Sequence, residues 1–257
     1  MKKTISIIIA IVISFTINAQ NKIDDNGQKI GKWSKKYDNG NLRYKGQFEK
    51  GYEVGKFIYY FPNGKKKSIM TFSETGKKAK VVTYYINGNQ QSTGLYYEKK
   101  KDGVWKFFDK IKGDLVKQES YNKGVKDGLW IVYYIGKGKA TELNWKDGKR
   151  DGVWKEYFEN GELKLSATFS DDKMVGDYSS YYLSKKISRQ GKYVDGVQDG
   201  VWNAYEENGA FRSVIVYSNG HLDKETRYED GKVTLIIDHV NNTVKNYLKN
   251  DDDGGEE

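Results

Sequence analysis

Residues 152–163 read Gly-Val-Trp-Lys-Glu-Tyr-Phe-Glu-Asn-Gly-Glu-Leu, and the position of Trp154 recurs at intervals of 24 residues, with one 25-residue step after Trp105. A second aromatic series keeps the same interval and takes up the same extra residue. Two series in register predict an array of small repeated units that bury their faces only against their neighbours. The first series is Trp33, Phe57, Val81, Trp105, Trp130, Trp154, Tyr178 and Trp202, and the second is Phe48, Phe72, Tyr96, Tyr121, Trp145, Phe169, Tyr193 and Tyr217.

Turn signals divide each repeat. An Asn-Gly pair between two alternating segments predicts a β-hairpin with a type I′ turn, which needs positive φ at both central residues. A second turn, such as Asp147-Gly148 or Asp195-Gly196, leads into the next repeat. We therefore predict an all-β fold, an elongated antiparallel meander of about eight 24-residue hairpins. The extra residue is expected in the hairpin loop at Gly113, because an insertion within a strand would turn later side chains to the opposite face.

The first 19 residues differ from the rest of the chain. Lys2 and Lys3 precede an apolar run at residues 5–17, and Ala19 offers a small residue for cleavage, so we predict a signal peptide at 1–19, with an uncleaved anchor as the alternative. Export to the periplasm, the outer envelope or the extracellular space is expected. We assign residues 20–30 to a lead-in, 31–247 to the repeat array with a capping strand at 232–238, and 248–257 to an acidic disordered tail.

The repeat at residues 152–163 resembles the MORN-repeat variant found in bacterial proteins, and the resemblance extends from about Gly31 to Tyr217. Bacterial arrays of this kind are grouped as YwqK-like antitoxin components. The resemblance implies a MORN-like hairpin array and a role in toxin neutralisation. Eukaryotic relatives of the repeat imply contact with membrane lipids and scaffolding.

A third aromatic series provides the candidate binding residues. Tyr157 stands three positions after Trp154, so strand alternation places it on the opposite face of the sheet. Such a row of rings either stabilises the sheet through cross-strand pairs or serves as a recognition surface, and we predict it as the binding face. The candidate residues are Tyr60, Tyr84, Phe108, Tyr133, Tyr157, Tyr181 and Tyr205.

Charge and composition narrow the partners. Without residues 1–19 the chain keeps 42 basic and 35 acidic residues, a net charge of +7. The charge is dispersed along the chain, with short Lys-rich runs at 65–67 and 99–101. Dispersed lysines are typical of a solvated surface rather than of a nucleic-acid groove, so no nucleic-acid partner is expected. Another protein is the expected partner, and membrane lipid or glycan is the alternative.

Few residues suit catalysis or metal binding. The chain has no Cys and two His, and no phosphate-binding or nucleophile motif is present. An aspartate precedes the glycine of several repeats, but one carboxylate per repeat predicts turn hydrogen bonds rather than a calcium site. Those aspartates are Asp102, Asp127, Asp151 and Asp199. We expect no enzyme activity, no metal and no cofactor.

These observations favour an exported, non-enzymatic repeat protein that acts as a protein-binding scaffold. Two alternatives stay open: an antitoxin or immunity-type protein that neutralises a toxin, and an envelope protein that contacts lipid or glycan.

Overall fold

The structure is a computed structural model that describes residues 21–73 and 76–248. The predicted signal peptide lies outside the described residues, as does the predicted acidic tail except for Leu248. All regular secondary structure in the described ranges is β, which confirms the predicted fold class. These ranges contain no helix long and apolar enough to cross a membrane.

The described residues form 21 strands, and each pairs in antiparallel fashion with the next along the chain, except that the strands at 125–126 and 128–133 both pair with the strand at 115–122. The sheet is a single meander of hairpins, as the repeats predicted. The strands are β1 Lys22–Ile23, β2 Lys29–Lys36, β3 Leu42–Glu49, β4 Tyr52–Tyr60, β5 Lys66–Ser73, β6 Lys78–Tyr84, β7 Gln90–Tyr97, β8 Lys100–Phe108, β9 Leu115–Asn122, β10 Val125–Lys126, β11 Gly128–Tyr133, β12 Lys139–Lys146, β13 Lys149–Tyr157, β14 Leu163–Ser170, β15 Lys173–Tyr181, β16 Ile187–Val194, β17 Val197–Tyr205, β18 Phe211–Ser218, β19 His221–Glu229, β20 Lys232–Asp238 and β21 Thr243–Asn246.

The hairpin loops occur where the Asn-Gly pairs predicted them, but the predicted turn type is wrong there. In the first loop only Gly40 has positive φ, and its N–H donates to the Tyr37 carbonyl while the Tyr37 N–H donates to the Asn41 carbonyl. This is a three-residue loop with the glycine in a bulge. The Asn39 side chain favours this loop over a type I′ turn, because its oxygen accepts the N–H of Asn41 at 3.1 Å and closes an Asx turn.

The type I′ turns connect one repeat to the next, at the strand ends opposite the hairpin loops. Asp147-Gly148 and Asp195-Gly196 have positive φ at both residues, as a two-residue type I′ turn requires. Glu98 and Lys99 also have positive φ, at 47° and 66°, although neither residue is glycine. A side chain in this region costs about 1–2 kcal/mol, so the turn between β7 and β8 is strained.

We expect Lys99→Gly to stabilise the protein by roughly 0.5–1 kcal/mol, because relief of the strain exceeds the extra chain entropy of glycine. Urea unfolding followed by circular dichroism measures the change. Lys106→Gly, in the middle of β8, is the control and should destabilise by a similar amount. If both substitutions destabilise equally, the turn is not strained.

The extra residue of the 25-residue step lies where the sequence placed it. The loop between β8 and β9 spans residues 109–114, one residue more than the loop between β4 and β5 at 61–65. The Asp109 carboxylate accepts the N–H groups of Ile111 and Gly113, and these bonds lower the pKa of Asp109. The longer loop is therefore closed internally, and the strands that follow keep their register.

The recurring glycine two positions before each aromatic produces a β-bulge. Gly55 has a φ of 61°, and between the pairs Gln47–Val54 and Lys45–Ile58 the strand β4 carries two more residues than β3. Where the sequence has Ala79 instead, the pairing of β5 with β6 has no register shift. A side chain is disfavoured at positive φ, so the bulge requires the glycine.

The two predicted aromatic series meet on one face of the sheet, which we call the tryptophan face. Their rings alternate on neighbouring strands with centroids about 5–6 Å apart, as between Tyr96 and Trp105 at 4.9 Å or Tyr193 and Trp202 at 5.1 Å. The bulge places some first-series rings directly over a backbone glycine. Phe57, Trp105 and Trp202 cover Gly46, Gly94 and Gly191 in this way and are only 1, 2 and 1% exposed.

The predicted capping strand is present as β20, but it is not the last strand. β21 pairs with β20 and forms the C-terminal edge of the described sheet, with all four residues exposed. Its short length limits pairing with other chains. The sequence did not reveal this strand because its four residues lack an alternating apolar pattern.

Candidate binding faces

Each of the seven predicted aromatic residues is the last residue of its strand, on the face opposite the tryptophans. We call this face the tyrosine face. All seven side chains are half-buried. Consecutive members stand two strands apart, about 10 Å, so their rings are too far apart to form cross-strand pairs with one another. Among the described residues, the one close ring pair that involves any of the seven joins Tyr205 to Phe211.

A second set of tyrosines fixes the loops that follow these residues. The Tyr37 hydroxyl donates to the Tyr60 carbonyl at 2.8 Å, and the same bond recurs at intervals of two repeats. Every second hairpin loop is thereby tied to the end of the next hairpin. The recurring bonds are Tyr85 to Phe108 at 3.0 Å, Tyr134 to Tyr157 at 2.9 Å and Tyr182 to Tyr205 at 2.7 Å.

Two of the predicted side chains make polar contacts within the sheet. The Tyr157 hydroxyl donates to the Glu142 carboxylate, and burial together with this bond raises the pKa of Tyr157 to about 12. Gln190 donates to the Tyr205 hydroxyl at 2.9 Å. These rings are held in one orientation, which lowers the entropy that they would lose in binding a partner.

Exposed valines share this face with the rings from β8 to β17. Val153 and Tyr157 are four apart on β13, about 13 Å along the strand, and therefore lie on the tyrosine face with Lys155 between them. Valines occupy the equivalent positions before Phe108 and Tyr205, so exposed apolar groups and aromatic rings recur over this surface. The three valines are Val104, Val153 and Val201, which are 48, 43 and 55% exposed.

The tyrosine face is basic in its N-terminal third, where the valine position is occupied by Lys32 and Lys56. Strands β2 to β4 line a groove of about 1190 Å³ here. Residues 21–73 hold 12 basic and 5 acidic residues, a net +7, whereas residues 76–248 hold 29 basic and 24 acidic residues, a net +5. Positive charge is therefore present along the whole sheet and is densest in the first repeats.

The aspartates before the glycines serve turns, as predicted, but each serves the next turn rather than its own. Asp102 accepts the N–H of Lys123 at 3.0 Å, and Asp199 accepts the N–H of Asn219 at 3.0 Å. Asp127 and Asp151 make longer bonds of the same kind. Within residues 21–73 and 76–248, no three acidic or histidine side chains are grouped as metal ligands.

A charged cluster on the tryptophan face was missed in the sequence. Glu119 occupies the position at which other repeats have Gly46, Gly94 or Gly191, and its side chain is only 5% exposed. Its carboxylate lies 2.7 Å from Lys117 Nζ and 3.4 Å from Lys101 Nζ. A charged residue at a position that is small or apolar in the other seven repeats was the available signal.

Hydrogen bonds decide the ionisation of Glu119. Burial alone would raise its pKa, but hydrogen bonds from Lys117 and from Tyr121 at 2.8 Å, with the charges of Lys117 and Lys101, lower the pKa below its usual value. Lys101 Nζ also lies 4.9 Å from the centre of the Trp105 ring. The cluster is satisfied internally, so it has the contacts of a structural element rather than those of a reactive site.

Comparison with known families supports the repeat assignment. The family model described as MORN repeat variant matches residues 29–50, 53–74 and 150–171. Three segments of this chain are MORN-type repeats. The matched segments correspond to the hairpins β2–β3, β4–β5 and β13–β14. The finer resemblance to YwqK-like antitoxin components stays a hypothesis.

No curated protein matches the chain. Among solved structures, the crystal structure of TcdB2-TccC3-TEV is 12% identical over 87% of this chain and 12% of that chain, with a TM-score of 0.20. A structure of the Photorhabdus luminescens Tc holotoxin pore is 11% identical over 84% of this chain and 14% of that chain, with a TM-score of 0.21. The chain therefore spans a small part of either of those chains.

Proposed function

We propose that this MORN-repeat protein is an exported, non-enzymatic scaffold that binds another protein through the part of its tyrosine face from β8 to β17. The observation that carries the proposal is that exposed valines share this face with half-buried aromatic residues, Val104 with Phe108, Val153 with Tyr157 and Val201 with Tyr205. Aromatic groups with apolar neighbours are enriched in protein interfaces. Export rests on the sequence of residues 1–19 alone.

The geometry suits a protein partner. The valines recur at intervals of two repeats, about 19 Å across four strands, so the three of them span about 38 Å. A surface of this length exceeds a small-molecule site and matches the scale of a protein interface. Tying every second loop to the next hairpin stiffens the surface, which favours a partner that binds with little rearrangement.

The test is reversible crosslinking of the tagged protein in its native cells, followed by capture and mass spectrometry. We expect one stoichiometric protein partner. A triple variant with Val104, Val153 and Val201 changed to Thr should reduce binding of that partner by about 100-fold, since each buried hydroxyl costs roughly 1 kcal/mol or more. Threonine keeps the branched shape and the strand propensity, so the fold should persist in circular dichroism.

The matched control changes to Thr three other exposed valines, which lie next to the turns between repeats. These are Val125, Val194 and Val197, which are exposed to a similar degree. Retained binding in the control and loss in the first variant would support the tyrosine face, whereas equal binding by both variants would contradict it. Recovery of lipid or glycan without protein would replace the proposal, and a partner that is toxic alone would make the scaffold an immunity protein.

A further inference from the structure

We propose that the basic groove of the tyrosine face binds an extended acidic segment of a protein partner that also carries aliphatic side chains. The inference deepens the proposed function, because it assigns a second contact region and the chemistry of the segment that fits it. The groove spans β2 to β4, and its lining includes Lys32, Lys36, Lys45 and Lys56.

The four lysines are exposed, and in the described part of the chain none of them forms an ion pair. Elsewhere some lysines of the sheet pair with a carboxylate, as Lys149 does with Asp171 at 2.9 Å. Several like charges around one concavity create a positive potential, which an anionic ligand relieves. A ligand that complements this groove therefore carries negative charge.

The groove lining also includes apolar side chains. Leu42, Val54 and Ile58 lie among the lysines, with Tyr60 at the strand end. These groups favour contact with the aliphatic side chains of a peptide.

The size of the groove also indicates a polypeptide. Its volume of about 1190 Å³ exceeds the range of about 300–1,000 Å³ that is typical of small-molecule sites. The lining residues come from three consecutive strands, so a ligand would cross the strands rather than occupy one pocket. An extended segment that carries acidic and aliphatic residues two positions apart on one face would place carboxylates near the lysines and apolar side chains near Leu42, Val54 and Ile58.

The test uses a short fluorescein-labelled peptide in which Glu and Leu alternate at every second position, with Ser between them, and binding is followed by fluorescence anisotropy at physiological salt. We expect binding that weakens about tenfold or more in the double variant Lys45→Glu with Lys56→Glu. The control is Lys35→Glu with Lys50→Glu, which has the same net charge but alters lysines outside the groove lining. The control should bind within about threefold of the unaltered protein.

Other outcomes overturn the inference. Equal weakening in both variants would show attraction by net charge alone, and no binding by the unaltered protein would exclude the proposed chemistry. Tighter binding to phosphatidylserine vesicles or to a single-stranded oligonucleotide, lost in the groove variant, would assign the groove to that ligand instead. If crosslinked partner capture persists at full yield in the groove variant, the scaffold proposal stands and only the groove assignment fails.

Discussion

Gly191→Ala is expected to destabilise the protein by about 3 kcal/mol, although it adds a single methyl group. A Cβ at this position would lie 2.2 Å from the Trp202 ring, far inside van der Waals contact. The ring cannot move away easily, because Tyr178, Tyr193 and Tyr217 pack around it. For a chain of this size the expected fall in the thermal midpoint is about 6–12 °C, measured by circular dichroism.

The location of Gly191 near the C-terminal end adds a second expectation. Stability in a repeat array is approximately a sum over neighbouring units, so a damaged unit can unfold before the rest. The thermal transition should therefore broaden or divide, with the tryptophan fluorescence of the last repeats changing first. Gly138→Ala is the control, since its Cβ would meet no atom within 4 Å and its φ is not positive. An equal fall in both variants would refute the close-contact explanation.

The repeat periodicity predicted the architecture because the same local pattern of turn residues and aromatic residues occurs in successive repeats. Every hairpin loop, the position of the insertion at Gly113 and the opposite faces of Trp154 and Tyr157 follow from spacing and strand alternation. The turn type at Asn39-Gly40 did not follow, because the Asn39 side chain offers the backbone a local hydrogen bond that favours a three-residue loop. Sequence spacing does not distinguish a two-residue type I′ turn from this three-residue loop.

The features that escaped prediction depend on contacts across strands. The glycine beneath each buried ring precedes it by 11 residues, and only the bulged register brings the two together, as for Gly94 and Trp105. The basic groove depends on which side chains of β2 to β4 the strand pairing brings together, which no local pattern encodes. Strand alternation predicted the face of the seven candidate residues, but their position at strand ends and their separation by an intervening strand depend on the pairing between strands.

Glu119 gives the second large expected effect. Glu119→Ala should destabilise the protein by about 2 kcal/mol at pH 7, because it removes a buried hydrogen-bonded acceptor and leaves Lys101 and Lys117 as neighbouring like charges. Both lysines are partly exposed, so water limits the loss below that of a fully buried pair. Glu119→Leu separates charge from volume: it should destabilise by a similar amount, since it also leaves the two lysines unpaired, whereas stability kept within about 1 kcal/mol would assign the effect to lost side-chain volume.

The contribution of Glu119 should also depend on pH in one direction. Its pKa is lowered in the folded protein, so its stabilisation is complete above the unfolded pKa of about 4.3 and is lost as pH falls through the folded value. Urea unfolding of the native protein and of Glu119→Gln should therefore give curves that differ at pH 6 and converge well below pH 4. A difference that stays constant to pH 3 would show that Glu119 stabilises the sheet through packing rather than through its charge.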